Sequence, residues 1–205
     1  MIVFELTNTE SHPVYNRLEI ENAERQFTFM KSVLAASISM GRPFLSQHVI
    51  KAFNYHAITC LHISAGEYRP CDVVVGQHRP PPPFRVNALM DDFVNQVNRH
   101  WEATDPVFLA TFVLWKLNNI HPFINGNGRT ARTACYYVLC LKNGGLIPGA
   151  ITLPELIKRE REKYCEHLQN AHDTSKTGEA DLAPLHGLVS DLLLEQINSA
   201  SGLTQ

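Results

Sequence analysis

The sequence has little of what marks a secreted, membrane-spanning or metal-stapled protein. No uninterrupted apolar run in its 205 residues is long enough to cross a bilayer. The amino-terminal MIVFELTNTE has no basic stretch followed by a long apolar segment, as a secretory signal does. The five cysteines are odd in number and form no CxxC pair, which argues against a disulfide framework or a compact metal site. We therefore expect a cytoplasmic protein whose cysteines are reduced and mostly buried.

A large excess of charge of either sign is also missing. The chain has 18 Lys and Arg residues against 20 Asp and Glu residues, a net charge of −2, whereas a general nucleic-acid binder is usually strongly basic. There is no internal repeat, and the length predicts one domain, or one domain with a short extension. We expect neither a nucleic acid nor a membrane as a partner.

Apolar residues recur at helical spacing along most of the chain, which predicts an all-α fold, a compact helical bundle. The predicted helices cover residues 22–39, 47–62, 87–100, 107–120, 129–142, 154–172 and 182–199. Segment 107–120 is apolar on nearly every side and belongs in the middle of the bundle. Asp105-Pro106 is its start signal, and His121-Pro122 ends it because a residue before proline avoids helical angles.

One segment, Ser64 to Phe84, has the opposite character. It contains Gly66, a run of three valines ending at Val75, Gly76 and four consecutive prolines, residues 80–83. β-Branched residues bounded by glycine and proline favour a short hairpin, and a run of prolines cannot donate backbone hydrogen bonds. We therefore predict a small β-hairpin flap over residues 66–83.

The most informative stretch is HPFINGNGRTAR, from His121 to Arg132. Gly126 and Gly128 allow unusual backbone angles and leave no side chain in the way of a ligand. A helix is expected to begin at Arg129, and the unpaired N–H groups of a helix start attract anions. Because Arg129 and Arg132 are three residues apart, they share one face of that helix. Together these features predict a binding site for a di- or triphosphate.

Two side chains of this stretch add chemistry to the predicted site. His121 carries an imidazole, the usual proton acceptor for a hydroxyl nucleophile near neutral pH. Asn125 carries an amide oxygen that can ligate a hard cation, the usual companion of nucleotide phosphates. The plainer interpretation is a histidine that ends a core helix, followed by an ordinary Asn-Gly turn. The joint spacing of all these residues favours the chemical interpretation.

HPFINGNGRTAR resembles the signature of the Fic family, HxFx(D/E)GNGRxxR, and matches it at every specified position but one. Gly66-Glu67-Tyr68-Arg69 and the valines that follow resemble that family's flap, and Lys163 to Ala171 resembles one of its later helices. The resemblance spans Phe44 to Ile197. It implies a Fic-like domain over residues 44–200, behind an N-terminal helical extension over residues 1–43.

The function that the resemblance implies is transfer of AMP from ATP to a Ser, Thr or Tyr hydroxyl of another protein, with release of pyrophosphate. His121 would deprotonate the acceptor hydroxyl, and Phe123 would anchor the loop in the core. The phosphates would be held by the backbone of Gly126, Asn127 and Gly128 and by the side-chain amide of Asn127. The side chains of Arg129 and Arg132 would hold the outer phosphates. The flap would align the target protein by strand addition. An antitoxin or a second copy of the chain is a further candidate partner.

Asn125 is the one departure from the family signature, which has a carboxylate there, implied to ligate Mg²⁺. An amide oxygen is neutral and a weaker ligand, so the resemblance implies reduced turnover, dependence on more Mg²⁺ or on Mn²⁺, an altered donor, or a degenerate site. Three alternatives therefore stay open: a Doc-like kinase, a phosphocholine transferase and a catalytically silent nucleotide-binding module. Gly128 and Gly126 favour AMP transfer, because Doc-type signatures resemble HxFxDANKR and Ala replaces Gly126 in both enzymatic alternatives.

A second stretch, Arg17 to Asn22, resembles the inhibitory segment [S/T]xxxE[G/N] that many family members carry. Its glutamate is Glu21, and the Ser or Thr position is Arg17. The resemblance implies that Glu21 pairs with Arg132 and blocks the site of the outer phosphate. The alternative interpretation is a solvated acidic helix start.

Overall fold

A computed structural model describes residues 2–41 and 44–201 of the protein, and the all-α prediction is confirmed for them. The described residues form nine helices in the following order: α1 Val3–Thr7, α2 Pro13–Ser39, α3 Gln47–Ile58, α4 Pro83–Arg99, α5 Pro106–Ile120, α6 Asn127–Lys142, α7 Leu153–Arg159, α8 Arg161–Thr177 and α9 Ala183–Ser201.

Helix α5 lies at the centre of the bundle, as its apolar sequence predicts. It packs most extensively on α6 and also contacts α4, α8 and α9. Its start is fixed by Asp105, whose carboxylate accepts hydrogen bonds of 2.9 Å from the amides of Val107 and Phe108. Its end is fixed at His121, which adopts the left-handed conformation (φ 49°, ψ 60°). Both ends of the central helix are thus confirmed, and the second one positions a candidate catalytic side chain.

Several predicted helix boundaries were wrong: α3, for example, ends at Ile58, four residues before the predicted end, and α6 begins two residues early, at Asn127. Three of the differences have identifiable reasons. Helix α2 begins at Pro13, nine residues before the predicted start, because the His12 ring caps the Val14 amide at 3.2 Å. Helix α4 begins at Pro83, where a proline at the first helical position needs no N–H partner. The predicted helix 154–172 is two helices, divided at Glu160 (ψ 34°).

The N-terminal residues share the core of the remaining chain. Helix α2 packs on α3 and α6, and its Met30 and Leu34 side chains are buried in the main hydrophobic core. A smaller cluster joins α1 and the start of α2 to the end of α3 through Val3, Tyr15 and Ile58. This packing carries the early part of α2 to the N-terminal end of α6. The proposed division at residue 43 stays a prediction, and Arg42 and Pro43 lie outside the described residues.

The β-hairpin flap prediction was wrong. Within the described residues the flap, residues 66–83, contains no strand, and its pairing is limited to isolated bridges between Val75 and His78 and between Tyr68 and Phe123. Proline brackets the valine run on both sides and supplies no N–H to a ladder, while Val74 and Val75 are largely exposed. A hairpin of two short strands without a third partner is only marginally stable. Buried side chains, among them Arg69 and His78, hold the flap instead.

All five cysteines are free, but the prediction that most of them are buried was wrong. The buried ones are Cys135 and Cys140, and the exposed ones are Cys60, Cys71 and Cys165. None of the helices in the described part of the chain combines the length and the apolarity that a bilayer crossing requires.

Candidate active site

The signature loop, residues 121–128, makes a sharp bend between α5 and α6. Gly126 has a φ of 77°, in the left-handed region. A Cβ atom at this position would lie 2.7 Å from Cγ2 of Ile58 and 3.0 Å from Nδ2 of Asn54, so the space for a side chain is already filled by α3. Both the backbone angle and the packing therefore require glycine at Gly126.

The bend leaves three backbone amides at the start of α6 without partners. The first amide to bond is that of Thr130, which donates to the Gly126 carbonyl at 2.9 Å. Among residues 2–41 and 44–201, the amides of Asn127, Gly128 and Arg129 have no acceptor within hydrogen-bond distance. N–H groups at a helix start carry partial positive charge and bind phosphate oxygens. The loop therefore has the free donors that an anion site needs.

His121 lies at the entrance to this loop, at the end of α5. Its amide donates to the Leu117 carbonyl at 2.9 Å, which fixes its backbone, and its side chain is only partly exposed. Burial lowers the pKa of His121 to about 4. A hydrogen bond to the Asn118 backbone raises the pKa, while the charges of His78 and Arg69 lower it further. The imidazole is therefore neutral at cellular pH, the form that accepts a proton.

Phe123 and Asn127 hold the shape of the signature loop. Phe123 is fully buried, and its ring lies 5.4 Å from that of Tyr68. The Asn127 side chain is also buried; its Oδ1 accepts from the Phe123 amide at 3.0 Å and its Nδ2 donates to the Phe123 carbonyl at 2.8 Å. The expectation that the Asn127 side-chain amide holds phosphate is thus not met, because both of its ends are engaged. Its backbone N–H stays free.

Asn125 does not present a metal ligand. Its Oδ1 accepts from Nη2 of Arg129 at 2.8 Å, and its Nδ2 donates to Oε1 of Glu10 at 2.8 Å. An oxygen that faces a guanidinium is a poor ligand for a cation, and the described residues contain no cluster of His, Cys, Asp or Glu that could hold a metal ion. The residues present therefore do not fit the Mg²⁺ or Mn²⁺ site predicted at Asn125.

The two arginines of the signature have different surroundings. Arg129 lies 3.0 Å from Glu19 of α2 and also donates to the Ala57 carbonyl at 3.1 Å. Arg132 forms no ion pair and no hydrogen bond within the described residues, and its Nη1 lies 3.3 Å from the position that a Cβ of Gly128 would take. Burial lowers the pKa of Arg132, which also faces Arg129. Arg132 is thus a cation beside the free amides without an acidic partner in this part of the structure.

Glu21 does not reach Arg132. Its carboxylate pairs with Arg17 at 3.1 Å and with Arg25 at 3.4 Å on the outer side of α2. The contact predicted between Glu21 and Arg132 is therefore wrong, because the helix turns Glu21 away from the loop. The acidic residue of α2 that does contact the signature is Glu19, and the arginine is Arg129.

Comparison with known proteins places this site in a family. Residues 44–139 match the family model described as Fic/DOC family, and this range includes the whole signature loop. Over these 96 of its 205 residues the chain matches the Fic/DOC family. Its relatives include the protein adenylyltransferase Fic of Drosophila persimilis and that of Drosophila virilis, each 35% identical over 130 residues, which are 63% of this chain. Those residues cover 23% and 24% of the two relatives, so the chain spans about a quarter of their length.

The fold is that of solved Fic proteins. A fragment of Fic-1 from C. elegans superimposes with a TM-score of 0.75 at 22% identity, covering 98% of this chain and 56% of that one. A Fic-domain signalling protein from Bacteroides thetaiotaomicron gives a TM-score of 0.71 at 21% identity, covering 97% of this chain and 76% of its own. At these identities the similarity establishes the helical Fic fold, including the N-terminal helices.

Arg69, whose role sequence reasoning missed, joins the flap to the Fic signature loop. Its side chain is only 2% exposed, and it donates to the carbonyls of His121 and Cys71 at 2.8 Å each and to that of Pro81. Its own amide donates to the Pro122 carbonyl at 2.8 Å. A single guanidinium thereby ties both ends of the flap to the candidate base. Sequence periodicity gave no sign of this, because a buried arginine is unusual and its partners are far away in sequence.

Asn54 of α3 is a second connecting residue that sequence reasoning missed. Its Oδ1 accepts from the Gly66 amide at 3.0 Å, and its Nδ2 donates to the Asn125 carbonyl at 2.9 Å and to the Thr130 hydroxyl at 3.3 Å. It is fully buried. One side chain thus fixes the start of the flap, the signature loop and the first turn of α6 relative to each other.

Proposed function

We propose that this protein transfers AMP from ATP to a hydroxyl side chain of a target protein and releases pyrophosphate. The observation that carries the proposal is a partly buried histidine, His121, at one end of the bend whose other end leaves three amides free at the start of α6; burial lowers the pKa of His121 to about 4. The name of the Drosophila relatives, protein adenylyltransferase Fic, supports the same reaction.

The proposed reaction uses the residues as they lie. The unprotonated ring nitrogen of His121 accepts the proton of the target hydroxyl, and the hydroxyl oxygen forms a bond to the α-phosphorus of ATP. The bond from the α-phosphorus to the oxygen that bridges the α- and β-phosphates breaks, and pyrophosphate leaves with the electron pair. The amides of Asn127 and Gly128 hold the phosphate oxygens, and Arg132 offsets the charge of the departing group. No step is assigned to a divalent cation, since Asn125 faces Arg129.

The target would dock on the flap. Val74 and Val75 are 64% and 40% exposed and lie in a segment that has no strand partner. An extended peptide of the target that pairs with this backbone would bring its hydroxyl toward His121, to which Arg69 ties the flap.

Transfer can be tested with two labelled forms of ATP. The protein is incubated with a cell lysate and either α-labelled or γ-labelled ATP, with Mg²⁺ or Mn²⁺ present. We expect label on protein from the α position alone and its loss in His121→Ala, while His48→Ala, a change of an exposed histidine on α3, leaves it unchanged. Label from the γ position alone would instead show a kinase and refute the proposal.

A nucleotide-binding module without transfer is the second candidate function. Its supporting observation is that Arg129 is engaged by Glu19 and by Asn125, so that one of the two signature arginines is not free for phosphate. This candidate predicts that ATP binds with no protein labelled from either position. Loss of ATP binding in Gly126→Ala would assign the binding to the signature loop.

A further inference from the structure

Two histidines from different parts of the chain form a buried stack near His121. His78 lies in the flap and His172 lies on α8; they are 6% and 5% exposed. Their ring centroids are 3.9 Å apart and their planes differ by 17°. Neither residue belongs to the Fic signature, and the proposed reaction does not use them.

Asn119, in the last turn of α5, binds both rings. Its carbonyl lies 2.8 Å from Nε2 of His78, and its side-chain Nδ2 lies 3.2 Å from Nδ1 of His172. A carbonyl only accepts and an amide nitrogen only donates, so Nε2 of His78 carries its proton and Nδ1 of His172 carries none. In the neutral ring, Nδ1 of His78 is then unprotonated, and it is buried with no partner in the described residues. Asn119 therefore fixes which nitrogen carries the proton in each neutral ring, and a second proton on either ring would have no acceptor.

We propose that His78 and His172 form a clamp that positions the flap against the turn at His121, and that the clamp stays closed only while both rings are neutral. Asn119 is two residues before His121, so the clamp fixes the same turn that carries the candidate base. Its effect on transfer rests on the proposed function, whereas the movement of the flap does not.

Protonation works against the clamp at each ring. A proton added to His78 goes to Nδ1, which is buried without an acceptor, and a proton added to His172 goes to Nδ1, which faces the Asn119 amide donor. Two charged rings stacked at 3.9 Å would also repel each other.

The surroundings of the stack also disfavour protonation of the two rings. Burial lowers the pKa of His78, with Lys176 adding to the effect and Asn119 and Asp173 opposing it. Burial likewise lowers the pKa of His172 to about 3, with smaller contributions in the same direction from His78, His121 and Lys176, while Asp173 opposes. His121 and Arg69 complete the set, because Arg69 faces His121 from the flap.

The expected response to pH follows from linkage. A histidine that must lose its proton when the flap closes lowers the ratio of closed to open flap by about tenfold for each pH unit below its ordinary pKa near 6.5. Two such histidines lower it by up to about a hundredfold per pH unit. The fall begins near pH 6.5, and the pH at which half of the flap is open is set by the ratio of closed to open flap in the neutral protein. The pKa of His121 is lowered to about 4 with the flap closed, and a double variant of His78 and His172 keeps His121, so it separates a loss of transfer caused by the clamp from one caused by His121.

The test follows the methyl NMR signals of ¹³C-labelled Val73, Val74 and Val75 from about pH 8 to pH 5, a range that spans ordinary histidine titration. The wild-type protein is compared with the double variant His78→Phe, His172→Phe, whose rings can stack but cannot titrate. His172→Asn serves as a smaller substitution if the double variant does not fold, and His48→Phe is the matched surface control. Transfer rates are measured over the same pH range.

We expect the wild-type flap signals to shift below about pH 6.5, together with a fall in transfer rate, and we expect both changes to be lost in the double variant. The control should titrate as the wild type does. Flap signals that stay fixed to pH 5, or that titrate equally in the double variant, would overturn the clamp. A normal flap titration without any labelling of protein would refute the proposed function and leave the clamp standing.

Discussion

Substitution of Gly126 by alanine separates the two reasons for glycine in the signature loop. The matched control is Gly144→Ala at the opposite end of α6, because Gly144 has a similar φ of 72° but nothing within 4 Å of an added Cβ. Both changes place alanine in the left-handed region, which costs about 1–2 kcal/mol. Only at Gly126 does the new Cβ meet Ile58 at 2.7 Å and Asn54 at 3.0 Å. That overlap adds about 1–3 kcal/mol.

The binding of ATP should separate the two variants further. Relief of the overlap moves the bend by a few tenths of an ångström and misaligns the amides that follow it. Loss of one hydrogen bond to a charged phosphate corresponds to about 1.5–3 kcal/mol, or roughly a 10- to 150-fold weaker affinity for ATP. Gly144→Ala should bind ATP as the wild type does, since it lies about 24 Å along the helix.

Urea unfolding and calorimetric titration with ATP measure these two effects. We expect Gly126→Ala to be less stable than Gly144→Ala and to bind ATP more weakly. Equal losses of stability in the two variants would refute the packing argument. Unchanged ATP affinity in Gly126→Ala would refute the assignment of the phosphates to this loop.

Three further predictions concern the surroundings of the loop. The pKa of His121 is lowered to about 4 in the folded protein, against about 6.5 in the unfolded chain. Its contribution of about 3 kcal/mol to the free energy of unfolding is therefore complete above pH 6.5 and is lost as the pH falls toward 4. Urea unfolding of the wild type and of His121→Asn at several pH values should show this difference, and parallel pH curves would contradict it. Arg69→Lys should lower the free energy of unfolding by about 2–4 kcal/mol, because a lysine leaves buried carbonyls unpaired. A midpoint of urea unfolding equal to that of the wild type would count against the role of Arg69. Glu19→Gln should release Arg129 and tighten ATP binding about threefold in calorimetry, and weaker binding would show that the pair supports the site.

The sequence predicted the elements whose signals are local. Helix α5 is an example: Asp105-Pro106 starts it, His121-Pro122 ends it, and its uniformly apolar residues place it at the centre. The bend of the signature loop was also predictable, because glycine is the residue most favoured at the positive φ found at Gly126.

The partners of side chains were not predictable, since they depend on packing between distant segments. Glu19 and Glu21 are two positions apart, and in a helix this separates them by more than half a turn. Tyr15, Asn22 and Gln26 are the buried face of α2, and Glu19 lies on that side while Glu21 does not. The resemblance to an inhibitory segment identified helix α2 correctly. Only the packing of α2 shows that Glu19 is the carboxylate that contacts Arg129.

The β-hairpin predicted for the flap was wrong for a related reason. Its valines have the composition of a strand, but a strand also needs a neighbour, and the flap has only isolated bridges. Arg69 and His78 hold the flap through contacts to α5 and to the signature loop. These contacts join residues about 40 to 50 positions apart, beyond the reach of any local pattern.

A crystal structure with a non-hydrolysable ATP analogue would show directly whether the signature loop binds the phosphates. We expect α- and β-phosphate oxygens about 3 Å from the amides of Asn127, Gly128 and Arg129, with the α-phosphorus facing the ring of His121. Phosphates bound elsewhere on the protein, with those three amides still unpaired, would contradict it.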